Sequence, residues 1–110
     1  MPVSTLAPVR ITRWRGGQHP TLDKISRQLE HEGLRPYTWT CTPNFRHAAC
    51  SHGYDKTLYC VQGAIEIEFP QTNARVTLHA GDRIDLLGGV RYSMIIGPSG
   101  AQGVQSDRIL

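Results

Sequence analysis

The 110-residue chain is long enough for one domain with a real core, and 39% hydrophobic with 19% charged residues fits a globular protein. Its 11 glycines and 7 prolines indicate many turns, which favours β structure over a helix bundle. The net charge of +3 is scattered and clusters only at Arg10, Arg13 and Arg15. We therefore expect a solvated basic arm and no nucleic-acid partner.

The N-terminus and the cysteines predict the compartment. The sequence has no apolar run of membrane-spanning length, and its first residues lack the pattern of a secretory signal, so we expect a cytoplasmic protein without a membrane partner. Three cysteines are an odd number, which argues against a disulfide framework. Cys41 and Cys60 lie in apolar runs and are predicted to be buried thiols, whereas Cys50 has small and polar neighbours.

Two elements precede the predicted sheet. Residues 1–19 are predicted to form an N-terminal arm with an edge strand that includes Val9 and Ile11. Residues 20–34 are predicted to form an amphipathic helix, which Thr21 is suited to cap. Its apolar stripe consists of Leu22, Ile25 and Leu29. Because so short a helix is stable only when its stripe docks, we expect it to pack outside a sheet.

The apolar residues recur with a period of two in the remaining part of the chain, residues 35–110. The alternation is clearest over residues 64–69, where Ile65 and Ile67 share one face and glutamates occupy the other. Similar segments lie at residues 37–41, 57–62, 75–80, 84–86 and 90–96, with a last strand predicted near Val104. Turn signals about every eight to twelve residues predict an all-β sandwich or barrel.

Cys50 and His52 are the first candidate site residues. Side chains at positions i and i+2 of a strand point to the same side, so a thiolate and an imidazole can face one zinc or iron ion. Tyr92 lies on the inward face of a later predicted strand and is expected to point toward them. His47 should face the opposite way, unless a bulge lies between it and Cys50 and makes it a third ligand.

Two motifs of fixed spacing lie within residues 47–96. The first reads Cys50-x-His52, three residues, Lys56, six residues, Gly63, and the second reads Gly81, five residues, Leu87-x-Gly89, two residues, Tyr92, three residues, Ile96. Both resemble the motifs of small single-domain cupins of the cupin 2 conserved-barrel type. The resemblance implies an all-β double-stranded β-helix, the jelly-roll or cupin barrel, with one α-helix packed outside.

The chain departs from the family pattern at the metal ligands. Three histidines and one glutamate hold a divalent metal in that family, and the resemblance places Cys50, His52, Lys56 and Tyr92 at these positions. An inward Lys56 would repel a divalent ion, and Tyr92 would have to lose a proton of pKa about 10 to become a ligand. We therefore expect no ordinary four-ligand site and no cofactor, unless an altered set binds zinc, iron, nickel or manganese.

Each replaced ligand has more than one interpretation. Cys50 is either a ligand or reactive thiol, or a small residue of the barrel wall. Lys56 is predicted to bind an anionic ligand, to balance Asp55 or another carboxylate, or to lie on the surface at the start of a strand. Tyr92 either donates a hydrogen bond to a ligand or fills the interior as an aromatic plug.

Two functions follow for the barrel interior. The first is a metal-free protein that binds a small molecule in the barrel mouth through Cys50, His52, Lys56 and Tyr92. The second is a metal-dependent oxygenase or isomerase that uses Cys50 and His52 with Tyr92 or His47. The resemblance implies this second reaction class, for which three ligands and an open coordination position are suitable.

The expected partners are a small molecule and a second copy of the chain. Cupin-like barrels pair through sheet edges, so the resemblance implies a homodimer. Residues 9–11 and 104–110 are the segments predicted to supply exchanged strands. This third function, a dimeric interaction module, is compatible with either of the first two.

Overall fold

The computed structural model describes residues 9–108, so the predictions for residues 1–8 and 109–110 lie outside the described residues. In chain order the elements are β1 (Val9–Thr12), α1 (Leu22–His31), β2 (Tyr37–Cys41), β3 (Arg46–Cys50), β4 (Asp55–Phe69), β5 (Ala74–Leu78), β6 (Arg83–Leu86) and β7 (Tyr92–Arg108). The prediction of a mostly β protein with one helix is confirmed. Among the described residues, no helix has the length and apolar character that a bilayer crossing requires.

The sheet is built around two long antiparallel strands. The strand order is β1-β6-β4-β7-β2, with β3 also paired to β7 and β5 also paired to β4. At 15 and 17 residues, β4 and β7 are long enough to pair with several strands along their length. The sequence predicts a strand that ends at Gly63, but β4 continues through it with two register shifts, one on each side.

Gly63 allows β4 to bend while the strand stays paired with β7 on both sides of the bend. Its backbone has φ +80°, a conformation that a residue with a Cβ rarely adopts, and an added Cβ would collide with the carbonyl oxygen of Gly100. The bend therefore needs glycine, and it turns β4 without interrupting its pairing with β7. The signal that suggested a strand end in the sequence marks a bulge in the structure.

The core lies between the strands and follows the predicted alternation. Ile65 and Ile67 are fully buried, while Glu66 and Glu68 face outward and lie 3.4 and 3.8 Å from Arg75. The buried members of the main cluster are Leu58, Cys60, Ile65, Ile67, Leu78, Ile84, Leu86, Tyr92, Ile96 and Ala101. Tyr92 and Ile96 of this core cluster also line the cavity that is described below, so the cavity adjoins the core.

Helix α1 lies within the range predicted for it and docks by its apolar stripe. Thr21 is the N-cap, and its Oγ1 accepts a hydrogen bond of 3.2 Å from the backbone N–H of Lys24. Ile25 and Leu29 are buried and pack with Val61 and other residues of a second apolar cluster. The helix thus covers the outside of the sheet and contributes no side chain to the barrel interior that is described below.

The two ends of the described chain are already paired within the molecule. β1 is the terminal strand of the sheet and pairs with β6, whereas Val104–Arg108 belongs to β7, which lies between β2 and β4. Val104 and Gln105 have strand partners on both sides, whereas residues 106–108 pair with β4 alone, and the exchange of residues 104–110 between two copies stays a prediction. The predicted edge strand at Val9 and Ile11 is present.

The N-terminal arm is fixed by one buried carboxylate. Asp82 accepts hydrogen bonds from the backbone N–H groups of Trp14 and His79, at 2.9 and 3.0 Å, and from the Arg13 guanidinium at 2.8 Å. Burial alone would raise the pKa of Asp82, but these donors together lower it. Arg10 and Arg15 are exposed, as expected of a solvated arm, while Arg13 is used in this contact.

Candidate functional site

Strand pairing brings the replaced ligand positions together. Cys50 at the end of β3 lies directly opposite Tyr92 at the start of β7, and Lys56 is the second residue of β4. The prediction that Cys50 and His52 share one strand is wrong in detail, since β3 ends at Cys50. The two side chains nevertheless converge, with 3.7 Å between Cys50 Sγ and His52 Nε2.

His52 is held between two tyrosines. Its Nε2 lies 3.1 Å from the hydroxyl of Tyr92, and its ring stacks on Tyr54 with 4.8 Å between the ring centroids. Burial, followed by the neighbouring Cys50, raises the pKa of Tyr92 well above its usual value, so the phenol stays protonated at neutral pH. The Tyr92 hydroxyl and His52 Nε2 are within hydrogen-bond distance, and the tautomer of the imidazole determines which of the two donates.

Lys56 is buried and faces the same space. It is 9% exposed, and its Nζ lies 5.6 Å from the centroid of the Tyr92 ring. The prediction of a surface lysine is therefore wrong. Asp55, which the sequence suggested as the partner of Lys56, forms an ion pair with Arg108 at 3.9 Å. The ion-pair partner of Lys56 is Asp107, with 4.0 Å between Lys56 Nζ and Asp107 Oδ1.

A polar network around Asp107 lies beside the site, and Tyr37 and Gln105 of this network line the cavity. The hydroxyl of Tyr37 donates to Asp107 Oδ2 at 2.8 Å, and the side-chain amide of Gln105 donates to Asp107 Oδ1 at 3.1 Å and also to the Tyr37 hydroxyl. The indole N–H of Trp39 donates to Gln105 Oε1 at 2.8 Å. Each of these side chains thus holds another in a fixed orientation.

Sequence reasoning missed the role of this network. The alternation of Tyr37 with Trp39, and of Gln105 with Asp107, was a usable signal that each pair shares one face of a strand. What the sequence lacked was the register, in which Tyr37 lies opposite Gln105. Cross-strand register depends on the closure of the whole barrel, and no local pattern specifies it.

His52, Lys56 and Tyr92 face a cavity of about 360 Å³. It is lined by Tyr37, Trp39, Thr40, Cys41, Phe45, His47, His52, Lys56, Tyr92, Met94, Ile96 and Gln105. Tyr92 is therefore a wall of the cavity, and the interior is not filled as the plug interpretation predicts. Cys50 is half-buried against the core and does not line the cavity.

His47 reaches the cavity through a bulge. The pairing of β3 with β7 shifts register between His47 and Cys50, which is the irregularity that the sequence required for His47 to face inward. His47 packs edge-on against Phe45, with 6.1 Å between the ring centroids, and both side chains are exposed. They form the rim of the cavity, whereas His52 and Lys56 lie deeper.

The donor chemistry at this site does not fit a divalent metal. Within residues 9–108, no three His, Cys, Asp or Glu side chains gather closely enough to hold a metal ion. A protonated Tyr92 is not a ligand, and the Lys56 ammonium stands 5.6 Å from its ring. Cys50 and His52 then remain as two donors, which is fewer than the three or four that zinc sites use.

The three cysteines are free thiols, which confirms the prediction that the chain has no disulfide framework. Cys60 is fully buried, and burial, followed by the charge of Asp82, raises the pKa of its thiol to about 12. Cys41 and Cys50 are half-buried. Cys60 therefore acts as a small apolar core residue.

Comparison with known structures identifies the fold. The chain is similar to an RmlC-like cupin from Shewanella frigidimarina, with 16% identity, a TM-score of 0.59 and coverage of 67% of this chain and 64% of the other, so it spans under two thirds of that protein. A DUF861 family protein from Thermotoga maritima has 15% identity and a TM-score of 0.59 over 91% of this chain and 99% of its own.

A third similar structure is an acireductone dioxygenase from Bacillus anthracis, which has a cadmium ion in its active centre. It shares 12% identity at a TM-score of 0.62, over 90% of this chain and 77% of its own. No protein-family model and no curated protein sequence matches the chain. The predicted cupin-like jelly roll is thus confirmed as a fold, and at such identities the likeness carries no activity with it.

Proposed function

We propose that the chain is a metal-independent protein that binds a small organic molecule in the cavity of its barrel. The position of Lys56 carries this proposal: a buried ammonium stands where the related motif has a metal-binding carboxylate, and it faces the cavity. His52, Lys56 and Tyr92 would contact the ligand, and Cys50 would support His52 from behind. A cytoplasmic location belongs to the same proposal, since three free thiols fit a reducing compartment.

The shape and lining of the cavity support a small ligand. At about 360 Å³, its volume lies near the lower end of the range of about 300–1,000 Å³ that is usual for ligand sites. Trp39, Phe45 and Met94 supply aromatic and apolar walls, and a few polar groups converge at the deep end. This combination is typical of sites that bury the body of a ligand and orient it by one polar end.

The proposal is tested by thermal unfolding in a panel of small carboxylates, alcohols, amides and amines. At least one chemical class should raise the melting temperature of the wild type, and Met94→Trp, which fills the cavity, should abolish the shift. Lys24→Met, at an exposed site on α1, should leave it unchanged. A shift that persists in Met94→Trp would place binding elsewhere and would contradict the proposal.

Metal independence needs its own measurement. Elemental mass spectrometry of untagged wild type and of His52→Ala should find no stoichiometric metal in either protein. Zinc, iron, nickel or manganese near one equivalent in the wild type, lost in His52→Ala, would overturn the proposal. It would favour a metal-dependent oxygenase or isomerase that uses Cys50 and His52 with Tyr92 or His47.

The free end of the sheet supports a second candidate, pairing between two copies. β1 ends the strand order, and Ile11 on this strand is 39% exposed. An end strand with exposed apolar side chains favours edge-to-edge pairing. Sedimentation should then find a dimer at micromolar concentration, and Ile11→Lys should convert it to monomer; a monomeric wild type would exclude this homodimer.

A further inference from the structure

Lys56 has donor capacity that its protein neighbours do not use. Its ammonium group carries three N–H donors, yet the distance of 4.0 Å to Asp107 Oδ1 is too long for a hydrogen bond. The side chain is 11% exposed, and none of the fully buried side-chain nitrogens and oxygens of the described residues lacks a hydrogen-bond partner, so the Lys56 ammonium group is open to the cavity. A buried cation with unused donors is costly, unless a ligand satisfies it.

Several other polar groups of the cavity are already hydrogen-bonded within the protein. The Tyr92 hydroxyl pairs with His52 Nε2, the Trp39 indole donates to Gln105, and the Gln105 amide donates to Tyr37 and Asp107. Lys56 is the only lysine or arginine among the residues that line the cavity, and a ligand can recruit its donors without breaking an existing hydrogen bond. The group that it recruits must be an acceptor, and a negatively charged acceptor gains most.

Asp107 limits the charge of that acceptor. Its carboxylate lies close to Lys56, and its two oxygens accept hydrogen bonds from Tyr37 and Gln105, which hold it in place. A doubly charged phosphate near Lys56 would be repelled by this fixed negative charge, whereas a carboxylate carries a single charge. The electrostatics beside Lys56 thus favour a monoanion.

On these grounds, and resting on the proposed function, we infer that the cavity selects a small organic monocarboxylate. The carboxylate binds the Lys56 ammonium, and the body of the molecule packs against Trp39 and the apolar wall at Met94. Lys56 is then the residue that determines specificity. The aromatic lining makes a flat, unsaturated body the best match.

The test uses benzoate, with benzamide as its uncharged counterpart of nearly equal shape. Titration calorimetry at pH 7 should give a benzoate affinity for wild type at least tenfold above that for benzamide. Lys56→Met keeps a similar volume without the charge, and it should reduce benzoate affinity at least tenfold while benzamide affinity stays unchanged. Lys24→Met should match the wild type.

The outcomes separate this inference from the function on which it rests. Equal binding of benzoate and benzamide, lost in Met94→Trp and unaffected by Lys56→Met, would overturn selection by Lys56 but leave a small-molecule site. No benzoate binding to wild type would overturn the monocarboxylate assignment, while the broader panel would still decide the proposed function. Inorganic phosphate binding more tightly than benzoate would overturn the argument from Asp107.

Discussion

The two buried cations of the sheet, Arg83 and Lys56, have opposite surroundings. The Arg83 guanidinium donates to both carboxylate oxygens of Glu32 at 2.7 and 2.8 Å, to Asp85 at 3.0 and 3.2 Å, and to the Tyr59 hydroxyl at 3.2 Å. Lys56 has one carboxylate contact, at 4.0 Å. Their side chains are similarly buried, at 16% and 11% exposed.

This difference separates a structural cation from a functional one. Arg83 links the C-terminal end of α1 to β6 through its ion pair with Glu32. Hydrogen bonds to its partners raise the pKa of Arg83, so the interactions of its charge are all with the protein itself. Lys56 faces a cavity and keeps its donors free of short contacts. Burial alone therefore does not reveal a site, whereas burial together with unused hydrogen-bonding capacity does.

The comparison predicts a large difference in stability between two matched variants. Arg83→Met removes the bidentate contact with Glu32 and leaves Asp85 without its charged partner, so we expect a loss of about 2–3 kcal/mol. Lys56→Met replaces a poorly paired buried charge with an apolar side chain and should change stability by under about 1 kcal/mol. Urea unfolding of both variants measures the difference.

Arg75→Met is the control for removing a charge in general. Arg75 is 66% exposed and its ion pairs with Glu66 and Glu68 are long, so its loss should be within about 0.5 kcal/mol. A destabilisation of Lys56→Met as large as that of Arg83→Met would contradict the distinction, because it would make Lys56 a structural cation.

The loss of stability at acid pH gives a second contrast between the variants, because Arg83 donates hydrogen bonds to the Glu32 carboxylate. The hydrogen bond from Arg83 lowers the pKa of Glu32 below its usual value. The stabilising contribution of Glu32 is therefore complete above about pH 4.3, its pKa in the unfolded chain. This contribution is lost as the pH falls through the lower pKa of Glu32 in the folded state. The pKa of Asp82 is also lowered, so protonation of Asp82 at low pH decreases the stability of the folded state further.

Arg83→Met should therefore flatten the acid side of the stability curve. Removing Arg83 removes the interaction that lowers the pKa of Glu32 most, while Gln28 and Arg108 still lower it, so the wild type should lose more stability than the variant between about pH 4.3 and pH 2. Unfolding midpoints measured across this range test the slope. Arg75→Met should keep the wild-type slope, and an unchanged slope in Arg83→Met would show that Glu32 is not the titrating partner.

The sequence predicts the two cations unequally well. Motif spacing identifies Lys56 as a site residue, and the residue type at that position already argues against a metal. Nothing local to Arg83 indicates that it reaches Glu32, which lies 51 positions away in the chain. The helix, most strands and the convergence of Cys50, His52 and Tyr92 follow from periodicity and spacing, whereas β3 and the continuity of β7 through Gly97 do not.

The polar network beside the cavity does not follow from such local patterns. Lys56 lies opposite Asp107 because of the register of β4 against β7, which the sequence of neither strand specifies alone. This register is set by barrel closure, which is a property of the whole chain. Local signals thus identified candidate positions, and only the fold shows which of their donors and acceptors are already in use.

A further variant tests the N-terminal end of α1, opposite the end that Arg83 contacts. Thr21→Ala removes the acceptor for the Lys24 N–H and should cost about 1 kcal/mol. Because the ten residues of α1 span about 15 Å, this loss should add to that of Arg83→Met within about 0.5 kcal/mol. A double variant measured by urea unfolding tests the sum. A combined loss clearly smaller than the sum would mean that α1 detaches as one unit once either end is released, and that Arg83 stabilises the docked helix more than the sheet beneath it.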